Sequence, residues 1–266
     1  MPESFIYIIL FIFGAATGSF LNALIYRVHE NKLKTMLAGR SYCPKCKKSI
    51  SSKDLIPIIS YLLLKGKCRH CKKKISKSYP LTELATALIF VISYVNLPQS
   101  FTNTTNLTYL IITLIFFSII IFTFVYDLKY MEVADSVLLP GIIFAALATI
   151  HPLTPTIFSA LIGATIIFGF FFLQILISKG RWIGGGDLRI AVFMGLMLGW
   201  PLALSGLVIS YLIGSIISIF LLIVNRNCKM KTAIPFAPFL SIGTFLTYFY
   251  GAAITGWYLS HTGLIN

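Results

Sequence analysis

Eight apolar runs, separated by polar segments, occupy most of this sequence. Hydrophobic residues make up 57% of the 266 residues, and charged residues only 11%. One water-soluble core cannot bury that much apolar surface, and a backbone in lipid must satisfy its own hydrogen bonds. The sequence therefore predicts an all-α, multi-pass membrane protein with eight spans, at about residues 5–26, 81–96, 108–126, 136–150, 155–178, 188–200, 201–224 and 234–259.

The basic residues are concentrated in four parts of the chain. The 22 lysine and arginine residues outnumber the 8 acidic residues, and they lie within residues 27–77, at 129, within 179–189 and within 226–231. If both termini lie outside the cytosol, eight alternating spans place all four parts on one side of the membrane. An excess of basic residues is typical of the cytosolic face, so we predict a cytoplasmic-membrane protein whose lysines meet anionic lipid headgroups. Nucleic acid binding is disfavoured, because topology already accounts for the charge.

The segment from residue 27 to residue 79 is the one sizeable polar part of the sequence. We therefore predict three regions: a first span at residues 1–26, a cytosolic insert at residues 27–79, and a seven-span membrane core at residues 80–266.

Four of the five cysteines lie in the insert, as two pairs with the same Cys-x-x-Cys spacing. A reducing cytosol disfavours disulfides, and two such pairs can surround zinc with four thiolates. Four protein ligands leave no open coordination position, so the predicted Zn²⁺ is structural and does not activate water. His70 is expected to face solvent, and Cys228 is expected to be an unpaired thiol. The predicted ligands are Cys43, Cys46, Cys68 and Cys71.

Three aspartates lie next to apolar runs. Asp127 follows the third span, Asp135 precedes the fourth, and Asp187 precedes the sixth. Ionisable residues at such positions are costly and indicate a functional site. A simpler alternative is that Asp187 caps a helix beginning at Leu188, and that Asp135 caps the fourth span. Glycines let a substrate backbone approach closely, and three of them directly precede Asp187, namely Gly184, Gly185 and Gly186.

The fourth and sixth predicted spans are short. At 1.5 Å per residue they reach only about 20 to 23 Å, against about 30 Å for a hydrocarbon core. They fit a bilayer only if it is thinned or if their inner ends open into a water-containing cavity. The aspartates that precede them are therefore expected in a recessed, wet site at the cytosolic face.

Two neighbouring carboxylates can share one proton, and such a pair supplies the acid and the base that peptide hydrolysis needs. The pattern allows two other interpretations. Paired carboxylates also serve as relay sites in proton-coupled transporters, and the insert could dock a cytosolic partner of a non-enzymatic scaffold. Zinc proteolysis is disfavoured, because the sequence contains no His-Glu-x-x-His run.

Several motifs together resemble the bacterial type IV prepilin peptidases, also called prepilin leader peptidase/N-methyltransferases. Gly184-Gly185-Gly186-Asp187 is similar to the Gly-x-Gly-Asp signature of membrane aspartic proteases. Three further segments are similar to this family's motifs: residues 14–27 at the end of the first span, residues 41–83 with the cysteine pairs, and residues 234–240. The resemblance extends over nearly the full length of the chain.

The resemblance implies that Asp127 and Asp187 are the catalytic pair and that the three glycines admit the substrate. Asp135 remains the rival of Asp127, because it directly precedes the fourth span. The sequence departs from the family at this point, since Val133-Ala134-Asp135 stands where Ile-Pro-Asp is common. The implied substrates are prepilins and pseudopilins, cleaved on the cytosolic side of a bacterial inner membrane. The particular substrate and the oligomeric state are not indicated.

The family also methylates the new amino terminus with S-adenosylmethionine, so the resemblance implies this methyl donor. No residue pattern supports it independently, because no Gly-x-Gly-x-x-Gly turn follows a predicted strand. A peptidase without methyltransferase activity is the alternative. We leave the donor's binding residues unassigned and regard the insert and Glu83 as the place to search.

Overall fold

The structure, a computed structural model, describes residues 3–30, 39, 41–97, 104–224 and 234–261. Cys228 lies outside these residues. The described chain is helical and contains no strand beyond two isolated bridges in the insert, which confirms the predicted all-α class. A 3-10 turn at Ser52–Leu55 lies in the insert. The helices are α1 (Glu3–His29), α2 (Ile59–Leu63), α3 (Ser78–Val95), α4 (Thr104–Tyr130), α5 (Asp135–Ala148), α6 (Ile157–Ser178), α7 (Gly185–Leu198), α8 (Leu202–Val224) and α9 (Ala237–His261).

Six of the described helices are long and apolar enough to cross a membrane: α1, α3, α4, α6, α8 and α9. Large apolar side chains such as Ile12, Leu173 and Ile216 are more than half exposed on these helices, as expected for surfaces that face lipid. The helices α5 and α7 have only 14 residues each, so they reach only about 21 Å. The chain is therefore a multi-pass membrane protein, and the predicted short segments are short helices.

The helix ends differ from the predicted ones where the aspartates lie. The helix α4 continues to Tyr130, four residues beyond the predicted end, so Asp127 lies in its last turn. The N-cap of α5 is Ala134 and that of α7 is Gly184, and neither Asp135 nor Asp187 is an N-cap residue. The capping alternative was therefore wrong in both cases.

The contacts divide the chain into two compact units, Met1–Phe122 and Thr123–Asn266, and the division falls inside α4. In the first unit, α1 packs closely against α3. A methyl group on Gly14 would lie 2.7 Å from Ala87 Cα, and one on Gly18 would lie 2.7 Å from Glu83 Cα. Only glycine permits this approach, which is typical of small-residue helix contacts in membranes.

Other contacts fix the register of the first unit. The Asn22 side chain donates a 3.1 Å hydrogen bond from α1 to the Tyr79 carbonyl oxygen at the start of α3, as expected for an asparagine within a span. An apolar cluster joins α1, α3 and α4 through Leu10, Phe90, Leu110 and Leu114.

The helix α7 is the centre of the second unit and contacts α5, α6, α8 and α9. Its side chains Ile190, Ala191, Phe193 and Met194 have no exposed surface. Glycines again permit the close contacts. A methyl group on Gly195 would lie 2.6 Å from Ala164 N in α6, while Gly243 of α9 meets the backbone of α8. This packing holds the start of α7, and with it Asp187, in a fixed position.

We expect Gly195→Ala to lower the thermal unfolding temperature of the detergent-purified protein. The added methyl group meets backbone atoms of α6, and such overpacking costs about 1–3 kcal/mol. Gly169→Ala in α6 is the matched control, because no atom lies within 4 Å of the added methyl group. The control is expected to unfold at or slightly above the wild-type temperature, since alanine favours helix. Equal unfolding temperatures for the two variants would contradict the close α6–α7 contact.

Candidate active site and metal centre

The first candidate side chain, Asp187, lies in the first turn of α7. The Asp187 N–H donates to the Gly184 carbonyl oxygen at 3.1 Å, and the Asp187 carboxylate accepts a hydrogen bond from the Gly184 N–H. A helix N-terminus carries unpaired N–H groups and a partial positive charge, which stabilise an anion. The carboxylate of Asp187 is therefore fixed at the positive end of α7.

The second candidate, Asp127, is 5% exposed and lies in the last turn of α4. Its Oδ2 atom accepts a 3.1 Å hydrogen bond from the Ala237 N–H, which is the first residue of α9. This donor has no partner within its own helix, since the first N–H groups of a helix lack carbonyls to bond. Asp127 is thus also held at the positive end of a helix.

The two carboxylates are close enough to interact, and Asp127 is the charged neighbour that acts on Asp187. Asp135 has a different partner, because its carboxylate forms an ion pair with Arg189, and both side chains are over 40% exposed. The structure therefore brings Asp127 and Asp187 together and directs Asp135 to the surface of the same unit.

The glycines before Asp187 have different surroundings. A methyl group on Gly186 would lie 2.5 Å from Val133 Cγ2 and 2.8 Å from Val133 Cβ, so this glycine lets the start of α7 pack against the segment before α5. A methyl group on Gly184 would lie 3.8 Å from Asp187 Oδ2, and one on Gly185 would meet no atom within 4 Å. None of the three has a positive φ. The backbone conformation therefore does not require glycine at these positions. What matters is the absent side chain, which leaves unfilled space beside Gly185.

A hydrogen-bonded pair near this site, Gln174 and Tyr211, was not predicted from the sequence. The Tyr211 hydroxyl of α8 lies 3.1 Å from Gln174 Nε2 and 3.2 Å from Gln174 Oε1 in α6, and Tyr211 is within electrostatic range of Asp187. The Tyr211 ring packs against Phe236, the residue before Ala237, at 5.1 Å between centroids. In the sequence, Gln174 and Tyr211 are recognisable only as polar residues inside apolar runs. Their contact depends on the packing of α6 against α8.

The four cysteine sulfurs of the insert lie within 4.8 Å of one another, and the Sγ atoms of Cys43 and Cys71 are 4.0 Å apart. Zinc bound tetrahedrally by four thiolates at about 2.3 Å holds the sulfurs about 3.8 Å apart. The donor set and its spacing therefore fit a metal ion. His70 is exposed, as expected, and is not part of the cluster.

The two cysteine pairs have the same backbone conformation. The Cys43 N–H donates to Lys48 O and the Cys68 N–H to Lys73 O, both at 2.9 Å. The residue after each second cysteine, Lys47 or Lys72, has a φ near +60°. A hydrogen bond from the Cys71 N–H is the main reason that the pKa of the Cys68 thiol falls to about 7. The pKa of the Cys46 thiol rises to about 11 despite a hydrogen bond from the Lys48 N–H, because of desolvation and the neighbouring Cys43 and Cys71 sulfurs.

Comparison with known proteins assigns the family. Residues 12–97 match the family model described as the bacterial peptidase A24 N-terminal domain, and residues 114–219 match that of the type IV leader peptidase family. A protein from Aeromonas salmonicida is 30% identical over 95% of this chain and 93% of its own length. One from Bacillus subtilis is 32% identical over 94% of this chain and 97% of its own length. The chain belongs to the type IV leader peptidase family.

Both relatives, and a protein from Pseudomonas aeruginosa that is 30% identical over 95% of this chain, carry the name prepilin leader peptidase/N-methyltransferase. No solved structure gave a significant match. The leader peptidase match contains all three aspartates near the site, and the N-terminal match contains the four cysteines. Family membership by itself therefore does not choose between Asp127 and Asp135, whereas the local geometry distinguishes them.

Removing the metal or one of its ligands is expected to unfold the insert. We expect the purified protein to contain about one zinc ion per chain by elemental mass spectrometry, and Cys71→Ser to contain much less. Digestion by trypsin within residues 41–77 should then accelerate, because the insert has many exposed lysines. Lys53→Gln, a surface change in the insert away from the cluster, is the control and should retain zinc. A zinc-free protein whose insert resists trypsin would contradict a structural metal.

The contact between Gly186 and Val133 gives a second prediction. We expect Gly186→Ala to lower the unfolding temperature, because the new methyl group overlaps the Val133 side chain. The matched control, Gly185→Ala, should be near wild type because the space there is open. Adding Val133→Ala to Gly186→Ala removes the nearest atom and should restore part of the loss. Additive effects of the two substitutions would show that the residues do not touch.

Proposed function

We propose that this protein is a membrane aspartic endopeptidase that removes the leader peptides of type IV prepilins and related pseudopilins. The single observation that carries the proposal is the pairing of Asp127 with Asp187, each held at a helix N-terminus. The names of the relatives support the substrate class, and the bacterial inner membrane and the cytosolic face are the location that we propose.

The two carboxylates act as one acid–base pair. Because two neighbouring carboxylates cannot both ionise cheaply, they share one proton. The ionised member takes a proton from water as the water oxygen attacks the scissile carbonyl carbon. The protonated member donates its proton to the carbonyl oxygen. We assign these roles to the pair, because coupled groups titrate jointly.

The surroundings of the pair suit a leader that precedes an apolar helix. The open space at Gly185 leaves room for an extended substrate backbone beside Asp187. The aromatic side chains of Tyr211 and Phe236 form an apolar surface near the aspartates, against which the residues after the cleavage point can pack. The short helix α7 begins at Gly185, so its first turn lies within reach of water and of a cytosolic leader.

We propose the topology that the distribution of basic residues favours. Both termini lie outside the cytosol, and the insert at residues 27–79 lies inside, where anionic lipid headgroups offset its lysines. The cysteines Cys43, Cys46, Cys68 and Cys71 hold a structural Zn²⁺, which stabilises the insert and takes no part in hydrolysis.

A second activity is proposed because the relatives are named N-methyltransferases and the first unit contains a cavity remote in sequence from the aspartates. The new amino terminus left by cleavage is methylated, with S-adenosylmethionine as the methyl donor.

Replacing either paired aspartate by asparagine is expected to reduce leader cleavage by at least about 10³-fold, because the acid–base pair is lost while the side-chain shape is kept. Asp135→Asn should cleave within a few-fold of wild type, since Asp135 forms an exposed ion pair that contributes little to stability. The measurement is leader loss from a purified prepilin, followed by mass spectrometry for wild type, Asp127→Asn, Asp135→Asn and Asp187→Asn. Loss of cleavage in Asp135→Asn with retention in Asp127→Asn would overturn the assignment.

A further inference from the structure

The insert has an exposed apolar surface on its short helix α2 and on the segment before it. Four large apolar side chains of this surface are exposed, and we call them the α2 face: Ile56, Ile59, Leu62 and Leu63. The side chains of Leu62 and Leu63 are 66% and 77% exposed. The other side of α2 is turned inward, since Tyr61 and Leu64 line the cavity of the first unit. An apolar patch of this kind marks a surface that contacts a partner or a membrane.

A hydrogen bond fixes the level of the α2 face along α3. The Ile58 N–H, next to Ile59, donates a 2.7 Å hydrogen bond to Glu83 Oε2, and Ser19 of α1 provides a further hydrogen bond to Glu83. The φ of Ile58 is +62°, a strained value for a β-branched residue that persists only where its surroundings hold it. Glu83 lies five residues after Ser78, the first residue of α3, or about 7.5 Å along the helix axis.

The helix α3 is barely long enough to cross a membrane. Its 18 residues reach about 27 Å, against about 30 Å for a hydrocarbon core. The first turns of α3 therefore lie at the membrane boundary. Leu81 and Leu84, which flank Glu83 in the sequence, are exposed, so the lipid-facing surface of α3 already begins there. The hydrogen bond between Ile58 and Glu83 then places the α2 face at the boundary as well.

Basic side chains accompany the α2 face. Three exposed lysines directly precede or follow it in the sequence: Lys53, Lys65 and Lys67. The Lys65 N–H donates to the Leu62 carbonyl oxygen at 3.0 Å, so Lys65 continues the last turn of α2. The one acidic residue of this segment, Asp54, forms an ion pair with Arg69. Apolar side chains next to lysines are typical of segments that lie in the headgroup region of an anionic membrane.

We propose that the α2 face is a lipid-binding surface that enters the adjacent membrane leaflet, and that Lys53, Lys65 and Lys67 bind the phosphates of anionic phospholipids. The proposal goes beyond leader cleavage and does not involve the aspartates. The proposed topology enters only by making this leaflet the cytosolic one. Because Ile58 also binds Glu83, docking of the α2 face on lipid holds the insert against the first turns of α3.

An apolar helix of a protein partner is the other occupant that an apolar face can take. Two observations favour lipid. The α2 face lies at the level where the lipid-facing surface of α3 begins, and the flanking lysines match anionic headgroups. An apolar helix offers those lysines no anion.

The test identifies what lies against the α2 face in a membrane. The photoreactive residue p-benzoylphenylalanine replaces Leu63 in the full chain, which is reconstituted in nanodiscs of phosphatidylethanolamine and phosphatidylglycerol. Light makes its benzophenone group react with neighbouring C–H bonds, and mass spectrometry identifies the attached molecule. We expect lipid adducts. The same replacement of Tyr61, on the cavity side of α2, is the matched control and should give at least about tenfold less lipid adduct.

The lysines are tested in the chain that carries the photoreactive residue in place of Leu63. Phosphatidylglycerol should be enriched several-fold in the adducts over its share of the nanodisc lipid, because lysines near a membrane attract anionic headgroups. Lys65→Gln with Lys67→Gln should remove most of that enrichment. Lys47→Gln with Lys72→Gln removes the same charge from the exposed loops after the cysteine pairs, and should retain it.

Two outcomes would overturn the proposal. The first is attachment of the residue at position 63 only to protein, either a second copy of the chain or an added prepilin. The second is as much lipid adduct from the Tyr61 position as from the Leu63 position. Enrichment of phosphatidylglycerol that survives Lys65→Gln with Lys67→Gln would refute the role of the lysines.

Two further samples keep the result unambiguous. Zinc content and prepilin cleavage show whether the labelled chain is folded, and replacement of Leu62 takes the place of Leu63 if it is not. Asp187→Asn in the labelled chain should form the same lipid adducts without cleaving prepilin. Failure of the proposed peptidase activity and failure of the lipid-binding surface would therefore be seen in different measurements.

Discussion

Two carboxylates that repel each other are held together in the second unit by helix N-termini. Asp187 lies at the positive end of α7, where the Gly184 N–H reaches its carboxylate. Asp127 lies in the last turn of α4, where the helix dipole disfavours a negative charge. The Ala237 N–H at the start of α9 offsets that cost. The site therefore depends on three helix ends, and repulsion between the aspartates favours a shared proton, as the proposed hydrolysis requires.

Glycines in α7 allow the close helix packing that positions these helix ends. The helix α7 has only 14 residues, yet four other helices pack around it, and Gly195 lets it approach α6 at backbone distance. In the first turn of α7, Gly186 likewise lets the helix backbone pack closely against the Val133 side chain. A glycine in a helix costs backbone entropy, so Gly185 and Gly186 make a poor first turn of α7 unless packing offsets the cost. Gly186 has that explanation, whereas no atom fills the space beside Gly185, where we propose that the substrate backbone lies.

Much of this arrangement was predictable, because apolar runs and metal-ligand spacing are local signals. The predictions of short fourth and sixth segments and of a cysteine cluster agree with the structure. The pairing of Asp135 with Arg189 was not predictable, since it depends on how α5 and α7 pack. The same holds for Gln174 and Tyr211, which lie 37 residues apart. The start of α7 was misplaced because glycine is a poor helix former by propensity, and tertiary contacts overrode that preference.

In the first unit, the close contact between α1 and α3 packs the two helices together and also buries the Glu83 carboxyl group. Gly18 has no side chain, so the backbone of α1 approaches Glu83 Cα closely, and this approach removes Glu83 from solvent. A carboxylate buried without partners would instead become protonated. Hydrogen bonds from the Ile58 N–H and from Ser19 oppose protonation of Glu83. The strained backbone conformation of Ile58 directs its N–H toward the carboxylate. The contact at Gly18 therefore determines both how closely α1 packs on α3 and how deeply the Glu83 carboxyl group is buried.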